Sequence, residues 1–499
     1  MRLNTLTFLM LGLRPISALA EDALLPVDQQ TLTRMIANGQ ASDAFHEAFE
    51  AGDELTEFSF DAVRGVGAYI GEGRRFTRFP RADLTGPMEW ANHFPTREGG
   101  ANATSCIACH NAPFANGAGD VALNVVIDPA HTGDPTQYLE RNTLPLFALG
   151  IPQRLAEEIS LDLYLQRNSA IQTACVSGRA KVELHSKGVD YGTLTVTRVS
   201  QDPCKFETDT SDLAGIDADL VIKPFGWKGN KPTIRSFTRD AAHNELGLQA
   251  VELVGDQDGD FDGVTNELTV GDITALTTYM AALERPVSKL ELDDLGLIEL
   301  TAPERSEILA GETAFAQAGC VSCHTPSMTF KEAVFKEPSE VPGFFDVTFP
   351  DGSDPASHGL TPANSMTFEL TGDQPNNIIT LPVGTTYHLG AVARDATGAA
   401  VARWFTDFKR HDMGPGLSDP SDPLGLGASM FLTRSLAGVG ATGPWLHDGR
   451  ATTLEEAILT HGGAAQVSRD TYAKMSEETQ AEIVAFLESL VLFNTDPEE

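Results

Sequence analysis

Two short segments of the chain carry the same pattern of thiol and imidazole side chains. Each has two cysteines separated by two residues and followed directly by a histidine; the segments are Cys106-Ile107-Ala108-Cys109-His110 and Cys320-Val321-Ser322-Cys323-His324. Thiols at this spacing can add to the vinyl groups of a porphyrin, and the adjacent histidine then binds the iron. A structural zinc site needs a closed set of four ligands and a thioredoxin-like site needs a βαβ context, and neither pattern accompanies these motifs. The sequence therefore predicts two covalent c-type haems as cofactors.

The second motif has a candidate ligand for the opposite face of its iron. Residues 452–461 predict a helix in which Thr452 and Glu455 form a capping box and His461 ends the apolar face. A histidine at this place could instead be a core residue or a charge at the helix C-terminus. With a haem in the same half of the chain, we expect His461 to bind the iron.

The corresponding ligand of the first haem stays open at this point. His131 and His243 are both candidates, although each is also typical of a loop or surface histidine. An open or weakly closed face would allow a small oxidant such as peroxide to bind to the iron.

The elements that must position these motifs recur in two halves of the chain. Amphipathic helices are predicted at 273–283 and 481–490, one closing each half, and another at 303–315 leads into Cys320. The spacing of Trp227-Lys-Gly229 up to Ile234 matches that of His447-Asp-Gly449 up to Leu454, which puts Trp227 and His447 at equivalent places.

These elements predict a mainly α fold with two cytochrome c-like haem domains and long loops. The predicted domains span 21–288 and 300–499, with a solvated connector near 285–299. Within 175–225, alternating β-branched residues predict a small β-hairpin insertion in the first domain. Cys175 and Cys204 could close this insertion as a disulfide, and two free thiols are the alternative.

Composition and charge restrict the partners. The chain has 499 residues, of which 35 are basic and 70 acidic, so its formal charge is −35. This charge argues against binding to nucleic acid and suits a basic partner, although it also serves solubility alone. Residues 1–20 predict an export signal, and no later segment is a long apolar run, so we expect a soluble periplasmic protein without a membrane span.

The residues around His447 resemble those of a known group of enzymes. Residues 443–457 resemble the bacterial di-haem cytochrome c peroxidases, and the whole chain after the export signal is similar to the di-haem oxidoreductase family, also labelled thiol oxidoreductases. The segments that support this resemblance occur in order through both halves, at 105–110, 141–147, 225–228, 319–326, 411–415 and 461–463.

The resemblance implies roles for several residues. In the peroxidases a methionine, fourteen residues after the equivalent of His447, is the sixth ligand of the C-terminal haem; here that position is His461, which implies two histidine ligands and a lower potential. A tryptophan lies between the haems of the peroxidases, which implies this role for Trp227, and a glutamate acts on bound peroxide, which implies this role for Glu245. Trp227, His447 and Glu245 are thus the candidate catalytic residues.

The resemblance also implies a peroxidase-like enzyme. A small periplasmic donor, either a cytochrome or a cupredoxin, would reduce the C-terminal haem, and electrons would pass by way of Trp227 to an N-terminal haem that binds peroxide or another small oxidant. The alternatives are a non-catalytic di-haem electron carrier and a maturation enzyme that acts on another protein. The length of the chain favours an enzyme, because a carrier needs about 100 residues per haem.

One acidic loop predicts a calcium site. Asp256, Asp258, Asp260 and Asp262 alternate along it, and Gly263 follows at the place of a sharp turn. The twelfth position is Thr269 and not glutamate, so the loop is no regular EF-hand. Glu267 or Asp272 could complete the ligand set, and an acidic surface turn is the alternative.

Overall fold

A computed structural model describes residues 24–66, 103–120, 123–127, 134–258, 263–345, 347, 349–372, 375, 378–380, 383–389 and 392–493. The predicted export signal, His131, Asp260 and Asp262 lie outside these residues.

Eleven α-helices lie in the described part of the chain. They are α1 Gln29–Ala37, α2 Ala41–Glu57, α3 Gly150–Ser177, α4 Ile234–Ala241, α5 Val251–Val254, α6 Val270–Ala282, α7 Lys289–Asp294, α8 Ala302–Gln317, α9 Leu454–Thr460, α10 Gln466–Tyr472 and α11 Glu477–Glu488. The three helices predicted from periodicity correspond to α6, α11 and α8. No helix of the described residues is long and apolar enough to cross a membrane.

Two long helix pairs form the frame of the two halves, and each pair meets at a glycine. At Gly52 of α2, a β-carbon would collide with the carbonyl oxygen of Ala275 in α6. At Gly311 of α8, it would collide with the carbonyl oxygen of Glu482 in α11. Because only glycine lacks this carbon, both pairs can pack with their backbones almost in contact.

The prediction of a mainly α fold is wrong. Of the described residues, 38% are helical and 18% are in strands. The strands are β1 Val125–Ile127, β2 Leu139–Arg141, β3 Arg179–Ser186, β4 Val189–Gln201, β5 Cys204–Asp209, β6 Val287–Ser288, β7 Met328–Phe330, β8 Val334–Glu337, β9 Met366–Glu369, β10 Ile378–Thr380, β11 Thr386–His388, β12 Ala400–Ala402, β13 Arg410–Asp412, β14 Met430–Leu432 and β15 Leu490–Val491. Most strands are two to four residues long, because the connections between helices satisfy their backbone hydrogen-bonding groups by forming short β-ladders. Strands this short show no alternation of apolar and polar residues in the sequence.

The insertion in the first half is also larger than the predicted hairpin. Strands β3, β4 and β5 form a three-stranded antiparallel sheet that packs on α3. A disulfide joins Cys175, near the end of α3, to Cys204 at the start of β5. The covalent bond therefore ties the outer strand of the sheet to the helix beneath it.

Contacts between the two halves include buried charges. The side chain of Arg235 in α4 is 2% exposed and donates to Glu252 and to Glu337 of β8.

The connector after α6 has regular secondary structure: β6 pairs with β15, and the acidic residues predicted to be solvated belong to α7. The division into two domains stays a prediction.

Candidate functional site

The second cysteine motif follows directly on α8. Gly319 has a left-handed backbone with φ of +86°, and the chain then forms a tight turn over Cys320–Ser322. The amide of His324 donates to the carbonyl of Cys320 at 2.9 Å. This turn places both cysteines, neither of which is in a disulfide, and the histidine ring on one side of the helix end.

The His324 ring is held in one tautomer. Its Nδ1 lies 3.1 Å from the carbonyl oxygen of Phe405, and because a carbonyl only accepts, Nδ1 must carry the proton. Burial, and secondarily the neighbouring His461, lower the pKa of His324 to about 4, so the ring is neutral at pH 7. Its Nε2 therefore keeps a free electron pair, as a metal ligand requires.

His461 has the same arrangement at the end of α9. Its Nδ1 donates to the carbonyl oxygen of Ala457 at 2.7 Å, and burial lowers the pKa of the ring. The capping box of Thr452 and Glu455 that we predicted before it is not formed: Thr453 is the N-cap and accepts from the amide of Glu456. Thr452 instead donates to the Glu456 carboxylate.

One apolar cavity of about 230 Å³ has both histidines in its wall. Cys320 and Cys323 also line it, and the remaining walls include Phe315, Leu454, Ile458 and Leu487. Two neutral imidazoles with deprotonated Nε2 atoms, beside two thiols, are the donor set that a covalent haem with two axial histidines needs. The residues present thus fit the cofactor that the motif predicts.

The first cysteine motif has the same local turn. The amide of His110 donates to the carbonyl of Cys106 at 3.0 Å. Burial lowers the pKa of His110 to about 4 and raises that of Cys106 to about 12, so both side chains are neutral at pH 7. Cys109 is likewise outside any disulfide. Imidazole and thiols again suit a covalently attached haem.

A single turn of π-helix, Ala242–Leu246, lies beside the first motif. The amide of Ala103, three residues before Cys106, donates to the backbone carbonyl of Glu245 at 3.2 Å. His243, in the same turn, is 4% exposed. Single π-turns often occur at functional sites, and this one brings the backbone of Glu245 next to the segment that leads into Cys106.

The predicted repeat around Trp227 and His447 is confirmed in the backbone. A β-bridge joins Phe225 to Lys231, and another joins Trp445 to Ala451. In both cases the bridge pairs the residue two positions before Trp227 or His447 with the residue four positions after it. In each half a threonine then caps the next helix, Thr233 for α4 and Thr453 for α9. In the second half that helix ends at His461, whereas in the first half it continues into the π-turn.

The two equivalent rings meet where the halves join. The centroids of Trp227 and His447 are 6.4 Å apart at an angle of 72°. Asn142 connects them through its backbone: the Trp227 indole donates to its carbonyl at 2.9 Å, and its amide donates to the carbonyl of His447 at 2.7 Å. Asn142 has no role in the sequence prediction beyond its place in a resembling segment.

A buried carboxylate next to His447 was missed by the sequence analysis. Asp419 accepts two hydrogen bonds from Arg141, at 2.9 and 2.8 Å, and lies 3.0 Å from the amine of Lys228. It also lies 3.6 Å from Nε2 of His447. Burial lowers the pKa of His447 to about 4, although Asp448 and Asp419 act in the opposite direction. No local motif marks Asp419, because its partners are distant in sequence.

One cluster of possible metal ligands involves the second cysteine motif. Cys323, Asp407 and His411 place their donor atoms within 4.8 Å of one another, the one such cluster among the described residues, and it uses a thiol of the second motif. Burial lowers the pKa of His411, but Asp407 and Cys323 outweigh this effect and raise it to about 9.

The predicted calcium loop is only partly described. Asp258 accepts from the amide of Gly263 at 3.0 Å, and Asp256 is exposed. Asp272 is unsuited to complete the shell, because its oxygens accept from the amides of Val27 and Thr269, both at 2.8 Å. The calcium site stays a prediction.

One comparison with known proteins, the match to a family model, agrees with the resemblance in the C-terminal part. Residues 382–490 match the family described as "Di-haem oxidoreductase, putative peroxidase". A solved structure described as a MauG-like protein associated with microbial copper homeostasis is similar at 17% identity, covering 57% of this chain and 76% of the other, with a TM-score of 0.28. No curated protein matches the chain.

Proposed function

We propose that the chain is a periplasmic di-haem c-type oxidoreductase of the peroxidase-like kind, passing electrons from a C-terminal to an N-terminal haem. The observation that carries the proposal is the pair His324 and His461, two half-buried, neutral imidazoles with free Nε2 atoms in one cavity beside two thiols. The family match over residues 382–490 supports a di-haem redox function. When bound, the haems would supply one-electron steps and an iron to which a small oxidant can bind.

The C-terminal residues suit electron entry. Cys320 and Cys323 would form the thioether bonds, and His324 and His461 would be the ligands of the iron. The hydrogen bonds from each Nδ1 to a backbone carbonyl fix the ring orientation and raise the donor strength of Nε2. With both histidines as ligands, the haem held here would supply electron transfer and no site for substrate.

The N-terminal residues would carry the reaction. Cys106, Cys109 and His110 would hold the haem, and Glu245 would move a proton between the two oxygens of peroxide as the bond between them breaks. The reduction consumes two electrons and two protons for each peroxide and yields two waters. The π-turn beside Cys106 supports this role for Glu245, and His243 is the candidate for a distal ligand.

Trp227 and His447 would connect the two centres. Their rings lie together at the junction of the halves, and Asn142 hydrogen-bonds to both residues. Asp419, which also pairs with Arg141 and Lys228, lies 3.6 Å from Nε2 of His447 and would help to hold the ring in place. A small periplasmic cytochrome or cupredoxin would be the donor, and the formal charge of −35 would favour a basic one.

Reaction with peroxide tests this function. The protein is matured in a host that attaches c-type haem, reduced, and mixed with hydrogen peroxide in a stopped-flow spectrometer. The proposal expects peroxide to oxidise both haems during the stopped-flow measurement. It also expects the EPR spectrum of the resting protein to show an N-terminal haem that is high-spin or has an exchangeable ligand. Two low-spin haems that do not react with peroxide would instead indicate an electron carrier.

A further inference from the structure

Arg434 is an unusual cation in the wall of the C-terminal cavity. It follows β14 by two residues, and its half-buried side chain lines the same cavity as His324 and His461. One nitrogen of its guanidinium, Nη1, lies 3.3 Å from the carbonyl oxygens of both Pro224 and Gly226. These carbonyls hold one edge of the side chain against the other half of the protein.

No carboxylate of the described residues pairs with Arg434. Its Nε has no hydrogen-bond partner, and burial lowers its pKa to about 10 with no acidic group acting against this effect. Other cations that are largely buried do have acidic partners: Arg141 and Lys228 with Asp419, Arg235 with Glu252 and Glu337, and Arg410 with Asp217. A cation that faces an apolar cavity without a counter-charge is costly even when it is only half-buried, so an anion is expected at this place in the complete molecule.

The position of Arg434 indicates which anion that is. The cavity is otherwise mostly apolar, and its donor set fits a porphyrin, which brings its own carboxylates. A planar guanidinium binds a carboxylate through two parallel hydrogen bonds, which makes arginine the preferred partner for such a group. The carbon of the guanidinium also lies 5.8 Å from the centre of the Trp227 ring.

We propose that Arg434 binds a propionate carboxylate of the C-terminal haem and thereby fixes the edge of that haem beside Trp227. This inference rests on the proposed haem at Cys320–His324. Arg434 belongs to the C-terminal half but is held by backbone carbonyls of the N-terminal half. It thus joins the haem edge to the segment that carries Trp227, and it is a positioning residue.

The reduction potential of the C-terminal haem tests the inference. Arg434→Gln, Arg434→Lys and the parent protein are compared by spectroelectrochemistry, and His461→Met identifies the wave of the C-terminal haem. Loss of the guanidinium leaves the propionate uncompensated and stabilises ferric over ferrous iron, so Arg434→Gln lowers the potential. Arg434→Lys keeps the positive charge, so most of this decrease in the reduction potential is absent in the lysine variant. Arg394→Gln removes a charge from an exposed ion pair with Glu369 and leaves the potential unchanged.

A second readout separates a propionate contact from a general structural role. The propionate-bending band in the resonance Raman spectrum of the parent protein is expected to shift in Arg434→Gln, with covalent haem content unchanged. An unchanged band together with an unchanged potential overturns the inference, as does a shift that Arg434→Lys and Arg434→Gln share equally. If the parent protein lacks haem at Cys320 and Cys323 by peptide mass analysis, the proposed function fails before the inference is reached.

Discussion

Trp227 and His447 occupy the same position in two repeats of one structural element, and their rings meet edge to face at the junction of the halves, with centroids 6.4 Å apart. Each of the two residues lies two positions after a residue of a β-bridge. Each also lies seven positions before the first residue of a helix whose N-cap is a threonine. The duplicated element thus brings one aromatic residue from each half to a shared contact.

Replacement of His461 by methionine changes the C-terminal haem and leaves the polypeptide fold intact. A thioether stabilises ferrous iron better than imidazole does, so the reduction potential of this haem rises. Potentiometric titration with optical detection measures the change. His185→Met alters a histidine that is 53% exposed in β3 and has no effect. An unchanged potential in His461→Met would show that His461 is not a ligand.

Replacement of Glu245 by glutamine slows the reaction with peroxide. Without a group to move the proton, the rate constant falls about 100-fold or more, while haem content and spectra are retained. Stopped-flow mixing of the reduced protein with peroxide measures it. The exposed Glu207 in β5 offers the matched control, Glu207→Gln. A rate equal to that of the parent protein would remove Glu245 from the mechanism.

Replacement of Asp419 by asparagine destabilises the protein. The change leaves Arg141 and Lys228 buried without their carboxylate, at a cost of about 3–5 kcal/mol in the free energy of unfolding. Urea denaturation measures this cost. Asp212→Asn breaks only an exposed ion pair with Lys181 and costs about 0–1 kcal/mol. Equal effects of the two substitutions would contradict a central role for Asp419.

His447 makes the stability depend on pH below neutrality. Its folded pKa, about 4, lies below its usual value of 6.5, so the unfolded chain binds the proton more tightly. The contribution to stability is complete above pH 6.5 and is lost as the pH falls toward 4, by at most about 3 kcal/mol. Urea denaturation at pH 7.5 and pH 5 should give a smaller difference for His447→Gln than for the parent protein. An identical difference would mean that His447 does not titrate in this way.

The sequence predicts those features whose cause is local. Helices α6, α8 and α11 have apolar residues at helical spacing, and the two cysteine motifs are complete within five residues each. The cap of α9 was displaced by one position because Thr452-Thr453 and Glu455-Glu456 are both doubled, so the pattern fits two registers. Only the backbone geometry selects Thr453.

Features that depend on distant residues were not predictable. Asp419 acquires its role from Arg141, 278 residues away, and the unpaired state of Arg434 is visible only when its surroundings are known. The two-stranded sheets arise in the same way, because strands such as β7 and β12 pair across about 70 residues and are each too short to show alternation.

Intact mass spectrometry of the protein, purified from a host that matures c-type cytochromes, tests the central claim most directly. We expect the mass of the polypeptide plus two haems, and one haem fewer in the Cys320→Ser/Cys323→Ser double variant. A mass equal to that of the bare polypeptide, or the same number of haems per chain in the parent protein and the double variant, would contradict the account.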